Sequence, residues 1–476
     1  MVAAANGRLT KDFAVFDCDA HINDPLEIWR DYVEPAHRDL VKQSYWRDDD
    51  QAIVNGRTVV IGGTDKDFAT YNPICVAGPG MNKKLLRKFQ QSMLSAEQRA
   101  YLSHAGAYDP HARTKEMDLM GIDQVMIIPT MMIAHLPYVE NADGAAAFVR
   151  AYNNWVADFC RAVPDRLFPA AMLPLQNPQY AADELHRVAK LGFKVGLIRP
   201  IDAKGRYPNR IFPALGSGTP TNTMDKVFRA FEETGIVCGM HTFPAYVTEL
   251  SDTIVSPGEL IGRAGAMVIG ERMVDPQTLS FVFEAMTWLS QILLSGFLDI
   301  YPRLRMAIFE SNASWLPELL EHCDRLWKLY ASERKLKSDR LPSDAFQQQC
   351  YIAFESDEDP IFRQWDWFER TGVWSSDAYH HDGADSWSAI RRMRDAGTPP
   401  QVQSRLLGEN ARRMYGVEGR VFVSEEPAEI PRPAWWPSAD EVDAFAKVQA
   451  DPRRHGGGFD IAKLDPRMLL AAMRIY

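Results

Sequence analysis

Residues 13–25 read FAVFDCDAHINDP. The apolar run Phe13, Ala14, Val15, Phe16 predicts a short buried strand, and it ends in Asp17, Asp19 and His21. Side chains alternate along a strand, so Asp19 and His21 share one face at its end, a placement suited to two ligands of one metal ion. Acidic residues beside a single His also make ordinary solvated turns, so the segment takes its meaning from what surrounds it.

Outward from that segment, short apolar runs alternate with long amphipathic stretches. Strands are expected at residues 13–16, 124–129, 168–173, 195–198, 236–240, 305–309, 350–354 and 373–374. Helical periodicity lies between them: Phe148, Tyr152, Trp155 and Phe159 before the third strand, and Leu316, Leu319, Leu320, Cys323, Leu326 and Trp327 after the sixth. Strand and helix alternating eight times predict an α/β fold, a (β/α)8 TIM barrel, whose chemistry sits at the C-terminal ends of the strands.

Such a barrel takes roughly 250 residues, and the chain has 476. The expected division is a barrel domain over residues 1–420, with an insertion at about 44–112, and a Pro- and Trp-rich C-terminal extension over 421–476. Within the insertion, IVNGRTVVI predicts a hairpin turning at Asn55-Gly56, followed by a helical part over 83–102. The Gly-, Pro-, Ser- and Thr-rich stretches 200–222 and 242–275 follow the fourth and fifth strands, and their length suits lids or binding loops. The tail, with PRPAWWPSAD and an apolar end over 468–476, suggests a homodimer or larger homo-oligomer.

Composition narrows the classes. With 46% hydrophobic and 24% charged residues the chain is an ordinary globular protein. A net charge of -10 without a dense Lys/Arg tract argues against nucleic acid as a partner and leaves a small-molecule substrate. The beginning, MVAAANGRLTKDF, lacks an apolar signal core, and no apolar stretch is long and uninterrupted enough to span a bilayer, so the expectation is a cytoplasmic protein without membrane contact. Six cysteines without a CxxC pair read as reduced core residues. Cys18, between two acids, should have a raised pKa and be a poor nucleophile.

Further candidate residues fall at other strand ends. His241 ends IVCGM, Glu310 ends RMAIF, and Asp377 follows GVWSS and precedes Ala378, Tyr379, His380 and His381. Each has a bland role available: a hydrogen-bonded structural His, an acid favouring the next helix N-terminus, a helix cap. Ligand types converging from several strand ends favour a metal site.

These segments resemble the amidohydrolase superfamily, and within it the branch related to aminocarboxymuconate semialdehyde decarboxylase and the resorcylate-type decarboxylases. DCDAHINDP resembles the first-strand metal motif in acidic-x-His form, VPDRLFPAAMLPLQNPQYAADELHRVAKLGFKVGLIRP the third and fourth strands, and GIVCGMH the fifth-strand His. YPRLRMAIFESNASWLPELLEHCDRLW resembles the sixth-strand segment, VWSSDAYHH the eighth-strand motif, and LLGENARRMYG the closing helix, so the resemblance runs from about residue 16 to about 416. It implies Asp19, His21, His241 and Asp377 as ligands of one divalent ion, zinc or manganese, with Asp377 also moving a proton.

Two departures from the family pattern matter. Glu310 stands where the characterised decarboxylases have a sixth-strand His, and the Pro of the eighth-strand motif is missing before His380. A divalent ion with Asp19, Glu310 and Asp377 all ionised leaves about one negative charge, which disfavours a carboxylate substrate unless a cation compensates. Arg199, after VGLI, is the candidate cation, though a salt bridge is an equal reading, and Glu310 could instead be protonated and act as an acid. Trp315, Phe243 and Tyr379 are candidate pocket aromatics or plain packing.

Two reactions fit. In hydrolysis of an ester, lactone, amide or activated C–C bond, Asp377 or Glu310 takes a proton from activated water, and His380 or His381 steadies the oxyanion. In non-oxidative decarboxylation, the carbon bearing CO₂ is protonated and CO₂ leaves. The missing sixth-strand His puts hydrolysis slightly first, while the branch resemblance pulls towards decarboxylation. A barrel that only binds is a third reading, and the converging ligand types argue against it.

Overall fold

The computed structural model describes residues 7–22, 24–48, 51–60, 105–199, 224–242, 279–334, 338–380, 383–441 and 443–444. Eight parallel strands follow one another in a single sheet: β1 (Phe16–Ile22), β5 (Gln124–Pro129), β6 (Leu167–Met172), β7 (Val195–Ile198), β8 (Val237–His241), β9 (Met306–Phe309), β10 (Cys350–Phe354) and β11 (Gly372–Trp374). Helices lie between them, and the sheet curls into the expected (β/α)8 barrel. The seam between first and last strands is held by hydrogen bonds: Asp377 N to Asp19 O at 3.1 Å and Ser375 Oγ to Asp19 O at 3.0 Å.

Seven strands lie within one residue of their expected bounds. The first does not: it is Phe16–Ile22 rather than residues 13–16, so the acidic motif is the strand itself and not only its end. The reason is local satisfaction. Asp17 is wholly buried and accepts from the Ser376 amide at 3.0 Å and from the Ser376 hydroxyl, so a polar side chain survives in the middle of a core strand. The register with β5 shifts between Asp17 and Ala20, an irregularity that re-aims the residues following it.

The helices follow their capping chemistry. Asn141 starts the helix Ala142–Arg161, its side chain accepting from Gly144 N at 2.9 Å, and the stripe Phe148, Tyr152, Trp155, Phe159 faces the core. Asn177 does the same for Pro178–Lys190, with Pro178 in the first turn. Among the described residues no helix is long and apolar enough to cross a membrane.

The insertion contributes an antiparallel meander, β2 (Tyr45–Asp48), β3 (Gln51–Val54) and β4 (Arg57–Val60). Its turn is at Asn55-Gly56, both with positive φ (51° and 73°), as the Asn-Gly pair predicts. Asn55 docks that turn on the barrel by donating to Tyr138 O at 2.8 Å and accepting from Glu140 N at 2.9 Å. The expected helix over 83–102 and the loops 200–222 and 243–275 lie outside the described residues.

Opposite the candidate site, the segment leading into β1 meets residues 422–426. Thr10 bridges Glu425, and Lys11 N donates to Ser424 O at 2.9 Å. At the centre, the Asp123 carboxylate pairs with the equally buried Lys11 ammonium. It also accepts from Val15 N at 2.7 Å, Phe422 N at 2.6 Å and Val423 N at 2.9 Å. The first described residues of the C-terminal extension are therefore stitched to the N-terminal segment. The described cysteines, Cys18, Cys160, Cys238, Cys323 and Cys350, are free and buried, and burial, with Asp19 and Asp17 beside it, pushes the Cys18 thiol well up.

Candidate metal centre

Four strand ends bring the candidate residues together. On β1, His21 turns Nδ1 to the Pro129 carbonyl at 3.1 Å. A carbonyl only accepts, so Nδ1 carries the proton and Nε2 keeps a lone pair directed inward. On β8, His241 repeats the device, with Nδ1 2.8 Å from Thr242 O. His21 Nε2 lies 3.3 Å from Asp19 Oδ1 and 3.4 Å from Asp377 Oδ1. His241 Nε2 lies 3.7 Å from Asp19 Oδ2 and 3.4 Å from Glu310 Oε2.

Asp19 Oδ1, His21 Nε2 and His241 Nε2 are buried with no hydrogen-bond partner. Three orphaned polar atoms aimed at one point are costly in a bare protein and are what a cation would satisfy. Protonation agrees: burial holds the His241 pKa down at about 4, so its imidazole is neutral. The set Asp19, His21, His241 and the set His21, Asp377, His380 each bring their ligand atoms within 4.8 Å of one another. The donors fit a divalent ion with mixed nitrogen and oxygen coordination.

Glu310 and Asp377 both have left-handed backbone, with φ of 47° and 49°, as does Asn312 at 55°. Non-glycine residues seldom adopt it, and the surroundings must hold them there. For Glu310 the Thr242 hydroxyl donates to its carbonyl, tying it to the residue after His241. Asp377 Oδ1 lies 2.9 Å from His380 Nδ1, and the His380 ring stacks on His21 at 3.8 Å between centroids.

The remaining sequence candidates are placed differently. Arg199 is buried, with Nη2 3.8 Å from Glu284 Oε1 and Nη1 donating to Ile133 O at 3.3 Å, so its charge faces a buried glutamate on the helix Phe281–Leu294. Trp315 donates its indole N–H to Ser311 O at 3.0 Å and Asn312 O at 3.1 Å. The Tyr379 hydroxyl donates to Glu116. Phe243 and His381 lie outside the described residues.

Sequence reasoning passed over several contributors. Asp17, pushed up to about 7 by burial, joins the first strand to the last. Asp24, in the quoted segment's own NDP, accepts from Met131 N at 2.8 Å and Met132 N at 3.1 Å, joining the ends of β1 and β5. Glu358, raised to about 7 by burial, accepts from Ala313 N at 2.8 Å and Glu355 N at 3.0 Å behind the Glu310 loop. Only Asp17 and Asp24 carried a signal, their position in an unusually acidic strand end.

Near Arg199, His135 yields a pH prediction. Burial, then Arg47 and Arg199, hold its pKa down at about 4. Between pH about 6.5 and that value the unfolded chain binds a proton the folded chain refuses, so stability drains away on acidification, by about 3 kcal/mol over the window. Asp17 and Glu358, with raised values, act in the opposite sense, so the comparison must be differential. The His135→Phe protein is expected to lose about 2 kcal/mol less than wild type between pH 7 and 5 in urea unfolding. Parallel losses in the two proteins would show that His135 does not stay neutral.

The amidohydrolase family profile matches residues 129–417, more than half of the chain. No curated protein sequence matches. A solved amidohydrolase from Mycobacterium avium subsp. paratuberculosis is 17% identical, covering 85% of this chain and 100% of its own, with a TM-score of 0.63. The 5-carboxyvanillate decarboxylase of Sphingomonas paucimobilis is 17% identical over 86% of this chain and 100% of its own, TM-score 0.55. That of Novosphingobium aromaticivorans, solved with manganese and 4-hydroxy-3-methoxy-5-nitrobenzoic acid, is 19% identical over 85% and 97%, TM-score 0.56. At these identities the structures show a shared barrel. The chain belongs to the amidohydrolase family. That family is one of enzymes, and the buried Asp19, His21 and His241 offer a divalent ion a ready donor set.

Proposed function

We propose that this enzyme is a non-oxidative decarboxylase of an aromatic or related carboxylic acid, with Asp19, His21, His241 and Asp377 as ligands of one zinc or manganese ion. The observation that carries the reading is the Asp377–His380 pair, 2.9 Å apart, with the His380 ring stacked on His21. Decarboxylation needs one proton delivered to carbon as the C–C bond breaks and CO₂ departs with no water consumed. A carboxyl at the ligand cluster, backed by an imidazole that can reload it, suits that task.

When bound, the divalent ion supplies the positive charge that holds the substrate carboxylate and the oxygen beside it. Charge balance then favours a proton on Asp377, because Arg199 is already faced by Glu284. That proton is the one the reaction consumes. The likeness to decarboxylases, one solved with manganese and a nitrobenzoic acid, supports the same choice.

Hydrolysis keeps one specific observation in its favour. Glu310, in place of the expected histidine, has Oε2 3.4 Å from His241 Nε2, where a carboxylate could take a proton from water. Glu310→His separates the two. If the decarboxylase reading holds, CO₂ release from hydroxylated benzoates should stay within about tenfold of wild type, whereas a hydrolase losing its base should fall about 10²–10⁴-fold on esters and lactones. Loss of all CO₂ release with metal content intact would sink the decarboxylase reading.

A further inference from the structure

We propose that Arg113, reaching in from a helix outside the barrel, is a positioning residue that fixes the β1 ligand strand against the loop after β11 and so sets the affinity for the divalent ion. The inference rests on the metal-site reading above. Arg113 lies on the helix Pro110–Met120 and is 1% exposed. Its Nη2 donates to the main-chain carbonyl of His21, and its Nε donates to Gly106 O at 2.7 Å. The guanidinium carbon, Cζ, lies over the Tyr379 ring at 4.3 Å from its centroid, two residues after Asp377.

One guanidinium thus touches the backbone of one candidate ligand and the ring next to another. The two segments also meet directly, His21 N donating to Ala378 O. Tyr379 is pinned from its far end, because its hydroxyl donates to Glu116, one turn along from Arg113 on the same helix. The packing leaves no slack: a Cβ at Gly106 would collide with the Tyr379 hydroxyl and the Glu116 carboxylate. Burying a guanidinium is expensive, and a lysine could not replace it, since only a planar fork donates in two directions while presenting a face to a ring. Groups that orient metal ligands from outside typically account for 10–100-fold in affinity.

The test reads metal affinity and needs no substrate. Metal-free wild type, Arg113→Met, Arg113→Lys and Tyr379→Leu would be titrated with Mn²⁺ against a fluorescent chelator, well below their unfolding temperatures. Asp123→Asn, altered at the opposite end of the barrel, is the control for destabilisation alone. Arg113→Met should bind Mn²⁺ about 10–100-fold more weakly than wild type, with Arg113→Lys and Tyr379→Leu weakened by about tenfold, while the control keeps wild-type affinity despite a lower Tm. If Arg113→Met does not fold, the other two variants carry the same comparison. Affinities within about twofold of wild type, with Tm lowered as in the control, would overturn the inference and leave the metal site standing. A wild type that takes up no Mn²⁺ would overturn the metal site itself, and this inference with it.

Discussion

The His241→Ala protein should purify folded and almost free of divalent metal. His241 Nε2 is a buried atom without a hydrogen-bond partner, so deleting it removes a desolvation cost along with a ligand. Added Mn²⁺ or Zn²⁺ should raise the wild-type Tm, since an ion at 100 times its Kd stabilises by about 2.7 kcal/mol, and should leave the variant's Tm unmoved. Affinity should fall by more than about 100-fold, beyond the loss expected from an orienting group, and turnover by about 10³-fold or more. Elemental analysis and a thermal shift series settle the outcome. A variant that retains stoichiometric metal would remove His241 from the ligand set, and with it the convergence of β1 and β8 on one ion.

The largest stability effect should come from the other end of the barrel. Asp123→Ala removes the partner of a wholly buried ammonium and the acceptor for three backbone amides, those of Val15, Phe422 and Val423. Breaking a buried pair by deleting one partner costs about 3–5 kcal/mol, because the remaining charge has neither water nor counter-ion. Combining it with Lys11→Met should recover part of that cost, as the orphaned charge disappears while the unpaired amides remain. Urea unfolding of the single and double variants measures both effects. A double variant no more stable than Asp123→Ala would assign the whole cost to the amides. Metal affinity should not change in either, since nothing at Asp123 reaches the ligand ends of the strands.

Most of the barrel was legible along the chain because each strand is a short apolar run and each helix a periodic one, both local patterns that survive without knowledge of neighbours. The first strand was misjudged for the complementary reason. Asp17, Asp19 and His21 read as the end of a strand whose body is the apolar run before them, until Ser376, Asp377 and Pro129 are seen to satisfy or face them from other strands. Glu310 and Asp377 were found as residue types at strand ends, but their left-handed backbone follows from surrounding contacts and leaves no mark on composition.

Sequence by itself determined the alternation of elements, the residue types at the strand ends and the resemblance to amidohydrolases, since all three are written in local order. Tertiary structure decided which polar groups are answered: that the inward nitrogens of His21 and His241 are left open, that Arg199 faces Glu284, and that Arg113 and Tyr379 brace the seam. Those are properties of residues far apart in the chain, and in a buried, low-dielectric site the worth of a charge or lone pair depends on what stands opposite it.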